Sequence, residues 1–170
     1  MKKNICFVSL NNEFTKNVAR DFADATDMFF ADIIELMQFD LIDIMQAQQV
    51  CGPDYIKKIE RNKIKNVCTY DNTCISIDYD MLNDEVNLES IKNNCIVVML
   101  DYSFATSKSL QNNDSTKILE NKLTNTMFAT RKKILQSYAD VVINWRPNSK
   151  FFIAKIANTL MDYYKKTTLK

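Results

Sequence analysis

The sequence predicts an α/β domain with three layers: a mainly parallel five-stranded sheet flanked by helices. Three observations predict it. Short apolar runs of strand length recur along the 170 residues. Two of them, Ile5–Leu10 and Cys95–Leu100, are apolar nearly throughout, as suits strands buried on both faces of a parallel sheet. Between the runs lie segments with apolar residues at helical spacing, joined by short links.

Taken in order, Ile5–Leu10 is the first strand. Thr15–Ala25 carries Val18, Ala19, Phe22 and Ala23 on one helical face. Met28–Ala31 is a second short strand, ending at Asp32. Ile33–Gln48 is apolar at Ile34, Met37, Leu41, Ile44 and Met45, which predicts one helix. Gly52-Pro53-Asp54 breaks the chain, and Asp54 is placed to cap a helix over Tyr55–Lys65. Cys74–Ile77 is a third strand, Leu88–Asn93 a helix, and Cys95–Leu100 a strand ending at Asp101. Ser103–Ser115 is polar and reads as a mobile loop. Asn121–Tyr138 is helical, Asp140–Asn144 a fifth strand, and Ser149–Lys166 an amphipathic helix with a fraying tail. No repeat or linker interrupts the chain, so residues 1–170 are expected to form one domain.

Composition narrows the function. Hydrophobic residues are 46% and charged residues 25%, as in a soluble globular protein. A net charge of +1 offers no basic field for nucleic acid or an anionic membrane. The longest apolar runs are far too short to span a bilayer, and the N-terminus lacks the cleavage pattern of a signal peptide. Five scattered cysteines without a C-x-x-C pair, and no histidine, argue against zinc; the odd, scattered cysteines fit a reducing compartment, the cytoplasm. Without histidine there is no Ser-His or Cys-His nucleophile. There is one glycine, Gly52. Chemistry that crowds backbone amides around a phosphate needs several.

In a parallel sheet, ligands bind beyond the carboxyl ends of the strands. Those positions here are Ser9–Lys16, Asp32, Asp78–Asp80 and Asp101. Five motifs stand in order along nearly the whole chain: Asn17–Ala23 (N-V-A-R-D-F-A), Phe30–Ile34 (F-A-D-I-I), Ile56–Glu60 (I-K-K-I-E), Val97–Asp101 (V-V-M-L-D) and Arg131–Asp140 (R-K-K-I-L-Q-S-Y-A-D). Their order and spacing resemble the shikimate kinase family, a P-loop small-molecule kinase fold, whose corresponding pieces are T-V-G-R-x-L-A, F-x-D-x-D, F-R-x-x-E, V-V-Y-L-D and R-x-P-L-Y-x-E-x-A-D.

The resemblance implies Mg²⁺-ATP, shikimate and phosphoryl transfer, yet the chain departs from the pattern at each chemical site. In the phosphate-binding loop, the two glycines are Ser9 and Phe14, the lysine is Thr15 and the Ser/Thr is Lys16. Of the two aspartates in F-x-D-x-D, Asp32 remains and Ile34 replaces the other, so the partner of the attacking hydroxyl is gone. Asp32 is the residual catalytic candidate, and a helix cap is its plainer role. The glycine triad that cradles shikimate becomes Asp78-Tyr79-Asp80, which fills the substrate's space and repels its carboxylate. Asp78 and Asp80 lie at i, i+2, on one side of any strand; they read as a solvated turn or as part of a metal site.

The basic positions are better kept. By the resemblance, Lys57 and Arg131 match anion-binding arginines and Lys117 matches the lid arginine, while Lys16 is a displaced stand-in for the loop lysine. The lid-like segment, approximately 103–127, is mobile or shortened by comparison with the family. Cys74 and Cys95 read as small core residues. Three functions follow as expectations. The first is a catalytically inactive, shikimate-kinase-like pseudokinase with a binding or regulatory role, its partner another protein or a second copy and its residual ligand a small anion. The second is a divergent active phosphotransferase using Lys16 and Asp32, or a transferase using Asp78 and Asp80. The third is a protein without a ligand whose surface binds a partner.

Overall fold

The computed structural model describes residues 4–41, 43–112, 124–147 and 149–168. The strands are β1 (Asn4–Val8), β2 (Phe29–Asp32), β3 (Thr73–Ser76), β4 (Cys95–Asp101) and β5 (Val141–Asn144). All four pairings are parallel and the order is β2-β3-β1-β4-β5. The helices are α1 (Asn12–Thr26), α2 (Ile33–Leu41), α3 (Ile44–Cys51), α4 (Pro53–Cys68), α5 (Glu85–Asn94), α6 (Phe104–Asn112), α7 (Asn125–Tyr138) and α8 (Phe152–Thr168), with a 3-10 turn at Tyr79–Asn83.

Alternation along the central strands sorts the core into two layers. Ile5 and Phe7 of β1, with Ile96, Val98 and Leu100 of β4, face Val18 and Phe22 of α1 and Ile156 and Leu160 of α8. Cys6 and Val8, with Cys95, Val97 and Met99, face Ile64 of α4, Ile91 of α5 and Leu135 of α7. Every residue of β1 and β4 is buried, which is why their sequences are apolar runs and not alternating ones.

Asn4 ties the start of this sheet together. Its side chain is 3% exposed, donates from Nδ2 to Tyr70 O at 2.6 Å and accepts at Oδ1 from Thr73 N at 3.0 Å. Asn4→Ala is expected to strand a buried N–H and a carbonyl and to lower stability by about 2–3 kcal/mol, read as a fall in the urea midpoint at constant m-value.

Several expectations are corrected. Ile33–Gln48 is two helices: α2 ends at Leu41, and Asp43 starts α3 by accepting Gln46 N at 2.9 Å. Asp54 does not cap α4; Gly52 is the cap at φ 84°, with Pro53 at the first helical position and Asp54 in the first turn. Ser103–Ser115 is not simply a loop. Residues 104–112 form α6, started by Thr106 N donating to Ser103 Oγ at 3.2 Å and held by Phe104 against Phe128, ring centroids 5.5 Å apart. Asp78 and Asp80 do not share a strand face, because β3 stops at Ser76, Asp78 caps the 3-10 turn and Asp80 lies within it. Helix α7 is described from Asn125, capped by Thr124. Among the described residues no helix is long and apolar enough to cross a membrane.

Candidate functional site

The loop after β1 is only three residues long, because α1 begins at Asn12, three residues ahead of Thr15. Several of its polar groups bond to one another. Asn11 N donates to Ser9 Oγ at 3.1 Å, and Phe14 N donates to Asn11 Oδ1 at 2.8 Å. Thr15 N reaches Asn11 O at 3.0 Å, and the Ser9 and Thr15 hydroxyls lie 2.7 Å apart. Ser9 and Thr15 are fully buried. The free amides of a helix N-terminus are what would hold a phosphate. Here the Asn11 side chain takes one of those amides, that of Phe14.

An aromatic cluster covers the same joint. The Phe14 ring lies 4.6 Å from Trp145 and 5.6 Å from Tyr102, and Tyr102 lies 6.1 Å from Phe128. Burial pushes the Tyr102 phenol up to about 12. Four separate segments, in α1, after β4, in α7 and after β5, thus close over the carboxyl end of the sheet.

Lys16 points away from this joint toward carboxylates. Its Nζ lies 2.8 Å from Glu13 and 3.5 Å from Glu35, and the Glu13 hydrogen bond is the main reason its pKa rises. Asp32 starts α2: Oδ1 accepts Glu35 N at 2.8 Å. Burial raises the Asp32 carboxyl, opposed by the Glu35 amide and by Ser76. A raised pKa means the folded state holds the proton more tightly than the unfolded chain, so stability falls as pH rises through the unfolded value to the folded one, and the loss persists at neutral pH. Asp32→Asn keeps an acceptor for the Glu35 amide and removes the buried charge. It is expected to leave the melting temperature at pH 7 unchanged or higher, and to flatten its slope in the acid range.

At the next strand end, Asp78 accepts from Asn12 Nδ2 and from Asp80 N, the latter at 3.0 Å, so this turn is tied to the start of α1. The Arg131 guanidinium lies over the Tyr79 ring, 5.1 Å from its centroid. Burial, with Asp80 beside it, pushes the Tyr79 phenol up. Tyr79 and Arg131 line a cavity of only about 170 Å³ with Asp80, Asn83, Leu135 and Tyr138. Lys57 is exposed on α4, close enough to Glu60 to favour its ionised form, while burial raises Glu60 and Asn87 Nδ2 donates to it at 2.5 Å. Lys117 lies outside the described residues, as do residues 113–123 of the lid-like segment.

The structure adds a partner that sequence reasoning passed over. Lys132 of α7 pairs with Asp101, the end of β4, at 2.5 Å. They border a cleft of about 930 Å³ whose rim includes Trp145, Arg146 and Lys155. The R-K-K run at residues 131–133 was the available signal, but only Arg131 sits at a motif position. Among the described residues no group of three or more Cys, Asp or Glu could hold a metal ion.

Known proteins are similar to this chain. The family model for shikimate kinase matches residues 15–164, beginning at Thr15 within the altered loop. A shikimate kinase of Clostridium botulinum (strain Eklund 17B / Type B) is 34% identical over 50 residues, a stretch spanning 29% of this chain and 30% of that relative. Solved shikimate kinases share the fold. That of Aquifex aeolicus superposes with a TM-score of 0.75 at 21% identity, covering 93% of this chain and 96% of its own. That of Acinetobacter baumannii, in complex with shikimate, gives 0.73 at 16%, covering 100% and 97%. That of Bacteroides thetaiotaomicron gives 0.76 at 15%, covering 95% and 98%. The matched residues, the five parallel strands and the surviving motif positions agree: the chain belongs to the shikimate kinase family.

Proposed function

We propose that this family member is a pseudokinase: it keeps the fold, does not transfer phosphate, and works by binding, its partner another protein or a second copy of itself. The observation that carries this reading is the joint between β1 and α1. The Asn11 and Phe14 amides are hydrogen-bonded within the joint, and Phe14 stands in an aromatic cluster where a phosphate path would run. Tyr79 under Arg131 supports it at the substrate side, since a ring lies where the family keeps glycine. Residual anion binding would fall to Lys57 and Arg131. The setting is cytoplasmic, in keeping with five cysteines that are all free thiols. The test is turnover and ligand heat with Mg²⁺-ATP and shikimate.

One observation favours a second reading. The cleft beside Asp101, rimmed by Lys132, Arg146 and Lys155, is large enough for a nucleotide. A divergent phosphotransferase would hold Mg²⁺-ATP there, its phosphates toward the basic side chains of that rim, with Asp32 as the remaining acidic group of the family motif. The same titration separates the readings.

A further inference from the structure

We infer that the open edge of β2 receives an extended, basic and apolar segment of another protein as a sixth strand. Strand β2 reads Phe29-Phe30-Ala31-Asp32 and, among the described residues, pairs only with β3. Phe29 N donates inward to Asn72 O, so by alternation the backbone groups of Phe30 face outward along the free edge. Natural edges are blunted by lysine, proline or a covering element. The first three residues here carry none of the protective residue types, and Phe29 is 72% exposed.

Beside the edge runs an apolar groove of about 470 Å³. Phe29, Leu36, Val67 and Tyr70 line it, with Asp71 at its side. Tyr70 is 62% exposed. A groove for alternate side chains next to an unpaired backbone is the arrangement that accepts an added strand.

Charge selects the occupant. Residues 21–56 hold eight carboxylates and no lysine or arginine. Asp21, Asp24 and Asp27, on and just after the last turns of α1, are exposed and lead directly into β2. Three basic groups that meet this segment are engaged by it: Arg20, which lies over the Phe30 ring, pairs with Glu35, as does Lys16, and Lys63 pairs with Asp40. A strand whose apolar side chains enter the groove and whose lysines face the acidic rim is complementary. A second copy is not, because pairing β2 with β2 sets two acidic segments side by side. Phe29 and Tyr70 lie at the amino ends of the strands, opposite the altered phosphate loop. The proposal therefore stands or falls separately from whether the chain transfers phosphate.

The test uses the full chain and a fluorescein-labelled Lys-Val-Lys-Val-Lys-Val peptide, followed by fluorescence anisotropy. Saturable binding is expected, at least about tenfold tighter than for a Glu-Val twin and weakened by salt. Phe29→Lys and, separately, Tyr70→Lys should abolish it while leaving the circular dichroism unchanged. N-methylation of alternate peptide amides should abolish it too, since a merely electrostatic contact would survive that change. No saturable binding, equal binding of the acidic twin, or indifference to both substitutions and to N-methylation would overturn the proposal. So would a dimer of the protein alone, seen by sedimentation, that Phe29→Lys dissociates, because the edge would then belong to a second copy.

Discussion

Purified protein mixed with Mg²⁺-ATP and shikimate is expected to release ADP no faster than a protein-free control, and to give no binding heat with either compound alone. The magnitude follows from how phosphoryl transfer works. It is mostly positioning and charge neutralisation, with little covalent work for the protein. One well-placed stabilising donor is worth about 10²–10³ in rate. Here Thr15 offers no charge to the phosphates, Lys16 is paired with Glu13 and Glu35, Ile34 packs toward the core, and Tyr79 stands under Arg131. These losses do not simply multiply, because groups that act together are not additive. Even so, the remainder is too small to exceed background. Single-turnover release of labelled phosphate is the sensitive form of the measurement. Shikimate-dependent turnover would establish the divergent phosphotransferase. ATP heat without turnover would mean the cleft beside Asp101 still takes nucleotide.

The sheet was legible because its central strands are buried on both faces, and double burial writes itself as an unbroken apolar run. Cys95–Leu100 was therefore placed within a residue of β4. Helix ends were less legible, because capping depends on which of several polar residues turns its side chain back to the backbone. Asn11 and Asn12 are identical in sequence, yet one caps α1 and the other reaches Asp78. Asp43 sits inside an apolar pattern that continues past it, so the break between α2 and α3 was hidden. Helix α6 is polar in composition and is held by Ser103 and by Phe104 against Phe128, a contact about two dozen residues away in sequence. At the site, each replaced residue could be read one at a time. The cluster of Phe14, Tyr102, Phe128 and Trp145 could not, since it forms only when α1, α7 and the ends of β4 and β5 converge. The Lys132–Asp101 pair was hidden for the same reason.

Thr15→Lys, which puts the family's loop lysine back at its own position, is expected to destabilise the protein by about 3–5 kcal/mol without creating ATP binding. Thr15 is fully buried, with its hydroxyl 2.7 Å from Ser9 Oγ and 2.9 Å from Asn11 O. In an open phosphate loop a lysine at this point would face a phosphate. Here it would meet Asn11 and Ser9, whose hydrogen-bonding capacity is already engaged. The ammonium would be desolvated without a partner, so the fold would loosen or the amine would lose its proton. At about 2–4 °C per kcal/mol for a chain of this size, the melting temperature should fall by roughly 10 °C. Thr15→Val is the control. It removes the hydroxyl at constant shape and should cost only about 1 kcal/mol, so a large difference between the two isolates the buried charge. A Thr15→Lys protein that melts like the parent and takes up Mg²⁺-ATP would reverse the argument. The joint would then open at little cost, and the absence of turnover in the parent would trace to a single side chain and not to a closed site.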